Sequence, residues 1–441
     1  MTFESIVGYR LAAHYVETLQ KINQLYLQGK SESVEEALAQ FEQHWKQIAH
    51  NWCWLSKTMD ADPKAAKFLC QYPLVAPTVL ELLQEKPDSK RWLEFGITAA
   101  RQLADVSSEV KHLCNLGNTL NQMGNHREAI NCFEEALIKV PAGDFYGLSN
   151  TLGNLANAYA DMGQYEQAIL YLEKALPIAS GIRDRRMESN WLGNLGIVYR
   201  NLGQYQKAVD YLEQAMRIAT EIGNERQMGV CGSSLGAVKM SLGQYHEAVP
   251  YLEQSLIISH KLKDKRSESL RLGSLGICYR RFKQFQEAID YFHHALAISG
   301  EIDDEHNSGK WMGNLANTYH DMGQPDKAKY YFEQALANCR TFEDRRTEGL
   351  LLCNLGAVSH DLGDYEQAIS YLGEALAINR QLKIDPAIAL TLKNLGLTYL
   401  ACNQDDNACL VLTEAYQIYT KLALQTEAQR VSSQLTKAKC S

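Results

Sequence analysis

The chain has no surplus of positive charge: 44 lysines and arginines face 52 aspartates and glutamates, for a formal net charge of −8 at pH 7. Without a basic excess there is no general attraction for polyanions, which argues against nucleic acid as the partner. It also lacks any run of about eighteen uncharged apolar residues, the length a helix needs to cross a bilayer. Its opening stretch, MTFESIVGYRLAAHYVETLQ, has no basic segment followed by an apolar core of the kind an export signal carries. The expectation is a soluble, unexported, cytoplasmic protein with no membrane partner. None of the 11 cysteines forms a C-x-x-C pair, and Cys114, Cys278 and Cys353 fall inside apolar helical patterns. They read as small buried hydrophobes in a reducing compartment.

Signatures of catalysis are missing too. Gln28-Gly29-Lys30-Ser31 ends like a phosphate loop, but Gln24 stands where the first glycine belongs and no strand leads into it. His246-Glu247 opens like a zinc-binding helix, but Pro250 takes the place of the second histidine. His320 and His360 share one repeat position, each followed by Asp, and read as polar residues of the groove in preference to a metal held between adjacent units. There is no G-x-S-x-G, no Cys–His arrangement that the sequence places in space and no carboxylate pair with an evident pocket. The reading is therefore no enzyme, no cofactor and no metal.

What is present is a repeat. Leu-Gly or Leu-Ala recurs at Leu116-Gly117, Leu155-Ala156, Leu195-Gly196, Leu235-Gly236, Leu275-Gly276, Leu315-Ala316, Leu355-Gly356 and Leu395-Gly396, in one step of 39 and six of 40 residues. Seven or eight residues on comes Gly124, Gly163, Gly203, Gly243, Gly323 or Gly363, with Lys283 and Asn403 as departures. Alanines follow at Ala129, Ala168, Ala208, Ala248, Ala288, Ala328, Ala368 and Ala408. Eight copies of about 40 residues fill roughly 106–425.

Each copy reads as two amphipathic helices. In the third, helix A spans about Glu188 to Leu202, Gly203 supplies a left-handed cap, and helix B spans about Tyr205 to Ile222. Asp184, Asp264 and Asp344, each followed by Glu188, Glu268 or Glu348, mark starts of helix A. Small residues such as Gly196, Ala208 and Ala215 permit close helix crossings, and Leu192, Tyr199, Tyr211 and Leu212 fill the space between. A single hairpin cannot bury its apolar face, so neighbours must stack.

The spacing Leu192, Leu195-Gly196, Tyr199, Ala208, Leu212, Ala215 resembles the tetratricopeptide repeat (TPR), in the longer subtype of kinesin light chains and the LGN/Pins adaptors. The resemblance covers about three quarters of the chain and implies an all-α fold: a right-handed α-solenoid, or superhelix, of helical hairpins with an N-terminal helical capping region. Before the array, SKRWLEFGITAARQLAD aligns with VDYLEQAMRIATEIGN, suggesting a degenerate repeat over 61–105 whose first helix lies near 64–83. Residues 1–60 read as a separate helical region, similar to the stretch joining the ATPase module to the TPR sensor in bacterial STAND proteins, and 426–441 as a polar capping helix.

At 100° per residue, Asn190, Gly193, Asn194, Ile197, Arg200 and Asn201 centre about 150° from the packing face of helix A. In the TPR family that second face lines a concave groove holding an extended peptide or partner helix. Asn115, Asn154, Asn314, Asn354 and Asn394 repeat the position of Asn194, with Ser234 and Ser274 in the fourth and fifth copies; Asn118, Asn157 and Asn317 add a shorter column. An amide offers both donor and acceptor, suiting it to a ligand backbone. The same amides could instead bond the adjacent helix and hold register. Gly153, Gly193, Gly273 and Gly313 would admit either a ligand backbone or a neighbouring helix.

Charge should set selectivity. Arg200, Arg280, Arg281 and Lys310 fall on the same face in the third, fifth and sixth copies, whereas Asp161, Asp321 and Asp361 mark the second, sixth and seventh, an arrangement suited to a ligand with an acidic central portion. Arg280-Arg281 reads equally as a solvated helix end. Lys239, where neighbours carry Tyr, either snorkels outward or reaches an anion. The functional expectation is a non-catalytic scaffold or sensor capturing a peptide or protein. Two alternatives stay open: a regulatory subunit of a separately encoded caspase-like protease or STAND ATPase, and an RNA-binding solenoid, against which stand the acidic balance and the lack of regularly spaced groove aromatics.

Overall fold

In a computed structural model the described residues are 3–27, 31–75 and 86–438, and among them every regular element is a helix. The chain divides into two compact units, Met1–Leu242 and Gly243–Ser441. Both are built from the same hairpin. Helix A of the successive repeats spans Val106–Gln122, Phe145–Asp161, Arg185–Asn201, Glu225–Ser241, Lys265–Arg281, Glu305–Asp321, Arg345–Asp361 and Asp385–Ala401. Helix B spans His126–Lys139, Tyr165–Gly181, Tyr205–Glu221, Tyr245–Lys261, Phe285–Glu301, Pro325–Thr341, Tyr365–Gln381 and Asp405–Lys421, and a further helix, Gln425–Lys437, follows.

Local chemistry sets these boundaries. Asp105, Asp144, Asp184, Asn224, Asp264, Asp304 and Asp344 each cap a helix A by accepting from the backbone N–H three residues on, which satisfies a donor the helix cannot. Helix A thus begins at Arg185 and ends at Asn201, a turn earlier than Glu188 at its start. The A–B turn is left-handed at every glycine the repeat places there, Gly203 at φ +73° among them. Lys283 and Asn403 adopt the same conformation at +61° and +56°. An L-residue there costs about 1 kcal/mol or more, partly offset by the freedom glycine adds to the unfolded chain. Lys283→Gly is therefore expected to stabilise by about 0.5 kcal/mol, read as a rise in the urea midpoint; a fall would show that the lysine side chain contributes more than its backbone costs.

Packing follows the small–large alternation. A Cβ on Gly196 would stand 2.5 Å from Leu212 Cγ and 3.1 Å from the Ala208 carbonyl, so a side chain there would force Leu212 to shift. Near-parallel tyrosine pairs, Tyr159–Tyr171, Tyr199–Tyr211, Tyr279–Tyr291 and Tyr319–Tyr331, join A to B at centroid distances of 5.1–5.5 Å.

Ahead of the array, Phe3–Leu27 and Ser31–Thr58 pack together, and Pro63–Val75 packs on both of them and on Lys86–Gln102. Asn51 ties them: its amide donates to the Gly8 carbonyl at 3.1 Å and accepts from the Tyr72 hydroxyl at 2.6 Å. Trp52 stacks on Trp92 at 4.9 Å, so the residue aligned with Tyr211 packs on an aromatic here as well. Of the helix expected near 64–83, Pro63–Val75 is seen and 76–85 lie outside the described residues. The Gln28-Gly29-Lys30 part of the phosphate-loop look-alike also lies outside them.

Candidate functional site

Helix A presents one face to its own hairpin and another to the side-by-side row of A helices. Leu192 and Leu195 are buried on the first, while Asn190, Asn194 and Arg200 are half-buried on the second. Consecutive A helices then bring the Asn194 position of one repeat against the preceding repeat: the Asn194 amide donates to Asn157 Oδ1 at 2.8 Å, and Asn394 Nδ2 lies 3.6 Å from Cys353 Sγ.

The amides therefore divide into two groups. Asn194 and Asn157 bond each other; Asn314 donates to the Lys310 carbonyl at 2.9 Å and Asn317 to the Gly313 carbonyl at 2.8 Å, each within its own helix. The side chains of Asn115, Asn154, Asn190 and Asn354 are half-buried and make no hydrogen bond to protein among the described residues. Polar groups in such positions bond something, here water or a ligand.

The glycines beside the ladder serve the next repeat. A side chain on Gly153 would overlap the Trp191 indole and one on Gly273 the Trp311 indole, while Gln227 lies over Gly193 and Leu351 touches Gly313. Each indole is also anchored: Trp191 Nε1 donates to Ser149 Oγ at 3.1 Å and Trp311 Nε1 to Ser269 Oγ at 2.9 Å. Sequence reasoning missed these clamps, although the same Ser, Gly, Trp spacing, 42 and 38 residues before each tryptophan, occurs twice.

The cations differ in what they find. Arg280 pairs with Asp321 at 3.4 Å, and Arg281 is exposed over the Tyr245 ring at 5.7 Å. Arg200 has no carboxylate within ion-pairing distance among the described residues; its Nε and Nη2 reach only the amide oxygen of Asn201, at 3.3 and 3.1 Å. Exposed Asn201 is thus engaged by its neighbour. Burial holds both Arg200 and Arg280 below the usual arginine pKa. Lys310 stays in water over the Trp311 ring at 4.7 Å, yet the surrounding protein excludes enough solvent to lower its pKa. Lys239 is half-buried. His320 lies 2.6 Å from Asp361, and no group of three His, Cys, Asp or Glu able to hold a metal occurs among the described residues.

Four of the residues expected from the sequence converge on one cavity in the second unit. Lys310, Asn314, Asn317 and Asn354 line a recess of about 350 Å³ between the sixth and seventh repeats. Asn338 from helix B, Phe342 just past its end, and Leu350 complete a lining that mixes polar and apolar side chains. These three were not legible from the asparagine column, because they belong to other helical faces.

The models of two sequence families, both described as tetratricopeptide repeat, match the chain at 147–221, 232–301, 267–341 and 347–421, and at 110–139. A search of curated proteins finds no match. Among solved structures, a STAND protein (signal transduction ATPase with numerous domains) with a tetratricopeptide repeat sensor, from Pyrococcus horikoshii, is similar at 16% identity and TM-score 0.60, over 81% of this chain and 57% of that one. The apo quorum sensor NprR from B. thuringiensis is similar at 14% identity and TM-score 0.60, over 80% and 98%. A Rap protein complexed with Competence and Sporulation Factor is similar at 17% identity and TM-score 0.54, over 83% and 99%. At these identities the likeness is one of fold. Among the described residues no helix is long and apolar enough to cross a membrane.

Proposed function

The chain belongs to the tetratricopeptide-repeat family, and we propose that it is a non-catalytic, cytoplasmic, regulatory scaffold or sensor that takes an extended segment of a partner protein or peptide along its A helices. The observation that carries this is the recess between the sixth and seventh repeats, where Asn354 has no protein partner and Lys310 no counter-ion among the described residues. A concave, part-apolar recess with a few convergent polar groups is the usual form of a ligand site. The likeness to a Rap protein solved with Competence and Sporulation Factor and to a quorum sensor supports a ligand-sensing array. Arg200, Arg281 and Lys310, none of them paired with a carboxylate, favour a ligand acidic in its central portion. The likeness to an ATPase with a repeat sensor favours a second reading, in which the array senses on behalf of a catalytic partner chain.

Asn194 and Asn314 are poor probes because each bonds within the protein. Lys310→Ala/Asn354→Ala, in full-length tagged protein, is expected to weaken partner capture about tenfold or more with unchanged helicity by circular dichroism, the scale of one or two lost hydrogen bonds to a charged or polar group. Undiminished capture would sink the groove reading and direct attention to the N-terminal helices; a co-purifying catalytic chain would favour the second reading.

A further inference from the structure

The last turns of the A helices obey a pairing rule. The penultimate residue of one helix A meets the last residue of the next: Asn121 donates to Asp161 at 2.5 Å, Arg280 pairs with Asp321 at 3.4 Å, and His320 lies 2.6 Å from Asp361. An aspartate ending a helix faces the carbonyl end of the dipole and is unfavourable there. Aspartate nevertheless ends helix A only where the preceding repeat presents such a donor; where that donor is replaced by Ala160 or Met240, the next helix ends in Asn201 or Arg281. The acids are therefore placed for the bond across repeats.

The rule breaks at two donors. His360 faces a helix ending in Ala401, and its ring, which needs no counter-ion when neutral, packs on Tyr365 at 5.6 Å. Arg200 is different. It is half-buried and permanently charged, and the helix that should supply its acid ends in Ser241, whose hydroxyl donates to the Ala237 carbonyl at 3.0 Å. Both residues lie in the first unit, whereas the recess between the sixth and seventh repeats belongs to the second.

We propose that Arg200 is a carboxylate-binding subsite, in which an acidic side chain of the ligand occupies the place that Asp161, Asp321 and Asp361 fill in other repeats. The proposal deepens the reading of the A-helix face as a ligand groove and rests on it for the source of the carboxylate. Guanidinium offers a carboxylate two parallel N–H donors, and Nη1 has no protein partner among the described residues.

Ser241→Asp tests it by refilling the gap. Thermal unfolding of the full chain is followed by circular dichroism at matched ionic strength with 100 mM N-acetyl-glutamate methylamide, N-acetyl-glutamine methylamide or inorganic phosphate. Wild type is expected to gain about 1–2 °C from the glutamate compound over the glutamine one, as a site with a Kd of about 10 mM would give. Ser241→Asp should melt higher without ligand and lose that gain, and Arg200→Ala should lose the gain without the higher start. General salt effects are common to all three and cancel. Equal response in wild type and Ser241→Asp, or a lowered midpoint in Ser241→Asp, overturns the proposal; a response to phosphate alone overturns its assignment to an acidic residue. Because no partner is needed, a positive result together with undiminished capture by Lys310→Ala/Asn354→Ala would leave the subsite standing and remove the groove reading.

Discussion

Trp311→Ala is expected to cost about 3–5 kcal/mol, the range for deleting a fully buried aromatic. The indole has no exposed surface, lies 6.5 Å from the Phe292 ring, and donates to Ser269 Oγ at 2.9 Å. That serine donates in turn to the Ala295 carbonyl at 2.9 Å and pairs with Ser299 at 2.8 Å, so the tryptophan closes a chain of bonds reaching helix B of the fifth repeat. Collapse into the void is limited because the floor beneath the ring is Gly273. Repeats touch only their neighbours, so the loss should appear as an early melting phase confined to the fifth and sixth repeats. Gly273→Ala alone should cost about 1–3 kcal/mol by overpacking against the indole. Gly273→Ala/Trp311→Ala should cost less than the sum, since the added methyl then sits in the vacated space. Additive losses in urea titrations would show that the ring and the glycine are not one contact.

Much of this fold was legible because its signals are local and recur with a fixed period. The caps at Asp184, Asp264 and Asp344 and the left-handed turn at Gly203 depend on a few consecutive residues, and eight copies average out the exceptions. The turns between repeats were less legible. Arg183, Lys263, Asp303, Glu343 and Lys383 are left-handed there at φ +52° to +59° without the glycine that would announce it. The candidate face was legible as a face but not in its partition. Whether an asparagine bonds its own helix, as Asn314 does, the next repeat, as Asn194 does, or nothing in the protein, as with Asn154, depends on atoms 37 or more residues away or on a rotamer. The aspartates show the same limit: Asp161, Asp321 and Asp361 carry the expected charge, but each is engaged by the repeat before it.

Acidification is expected to loosen the junction between the N-terminal helices and the first repeat before it reaches the rest of the chain. His112 stands in helix A of that repeat with no exposed surface, against Gly96 of Lys86–Gln102 and Cys70 of Pro63–Val75. Its Nε2 lies 3.0 Å from the Cys70 carbonyl, an acceptor only, so Nε2 carries the proton and Nδ1 is a bare lone pair without a partner. Protonating Nδ1 would create a buried charge with a donor aimed at nothing. Burial accordingly lowers the His112 pKa to about 4, against small opposing help from the Cys70 carbonyl and Asp105 and a further lowering by Lys111. Between that value and the unfolded value near 6.5, the unfolded chain binds a proton that the folded one refuses. Stability is therefore fully present above the unfolded pKa and falls as pH drops through the window, by about 3 kcal/mol at pH 4. His112→Gln keeps a donor for the Cys70 carbonyl but does not titrate. The difference between wild-type and variant urea midpoints should shift in the variant's favour as pH falls from 7 to 4, whereas carboxylate effects common to both cancel. A difference independent of pH would mean that water reaches Nδ1 and that the junction is not dry.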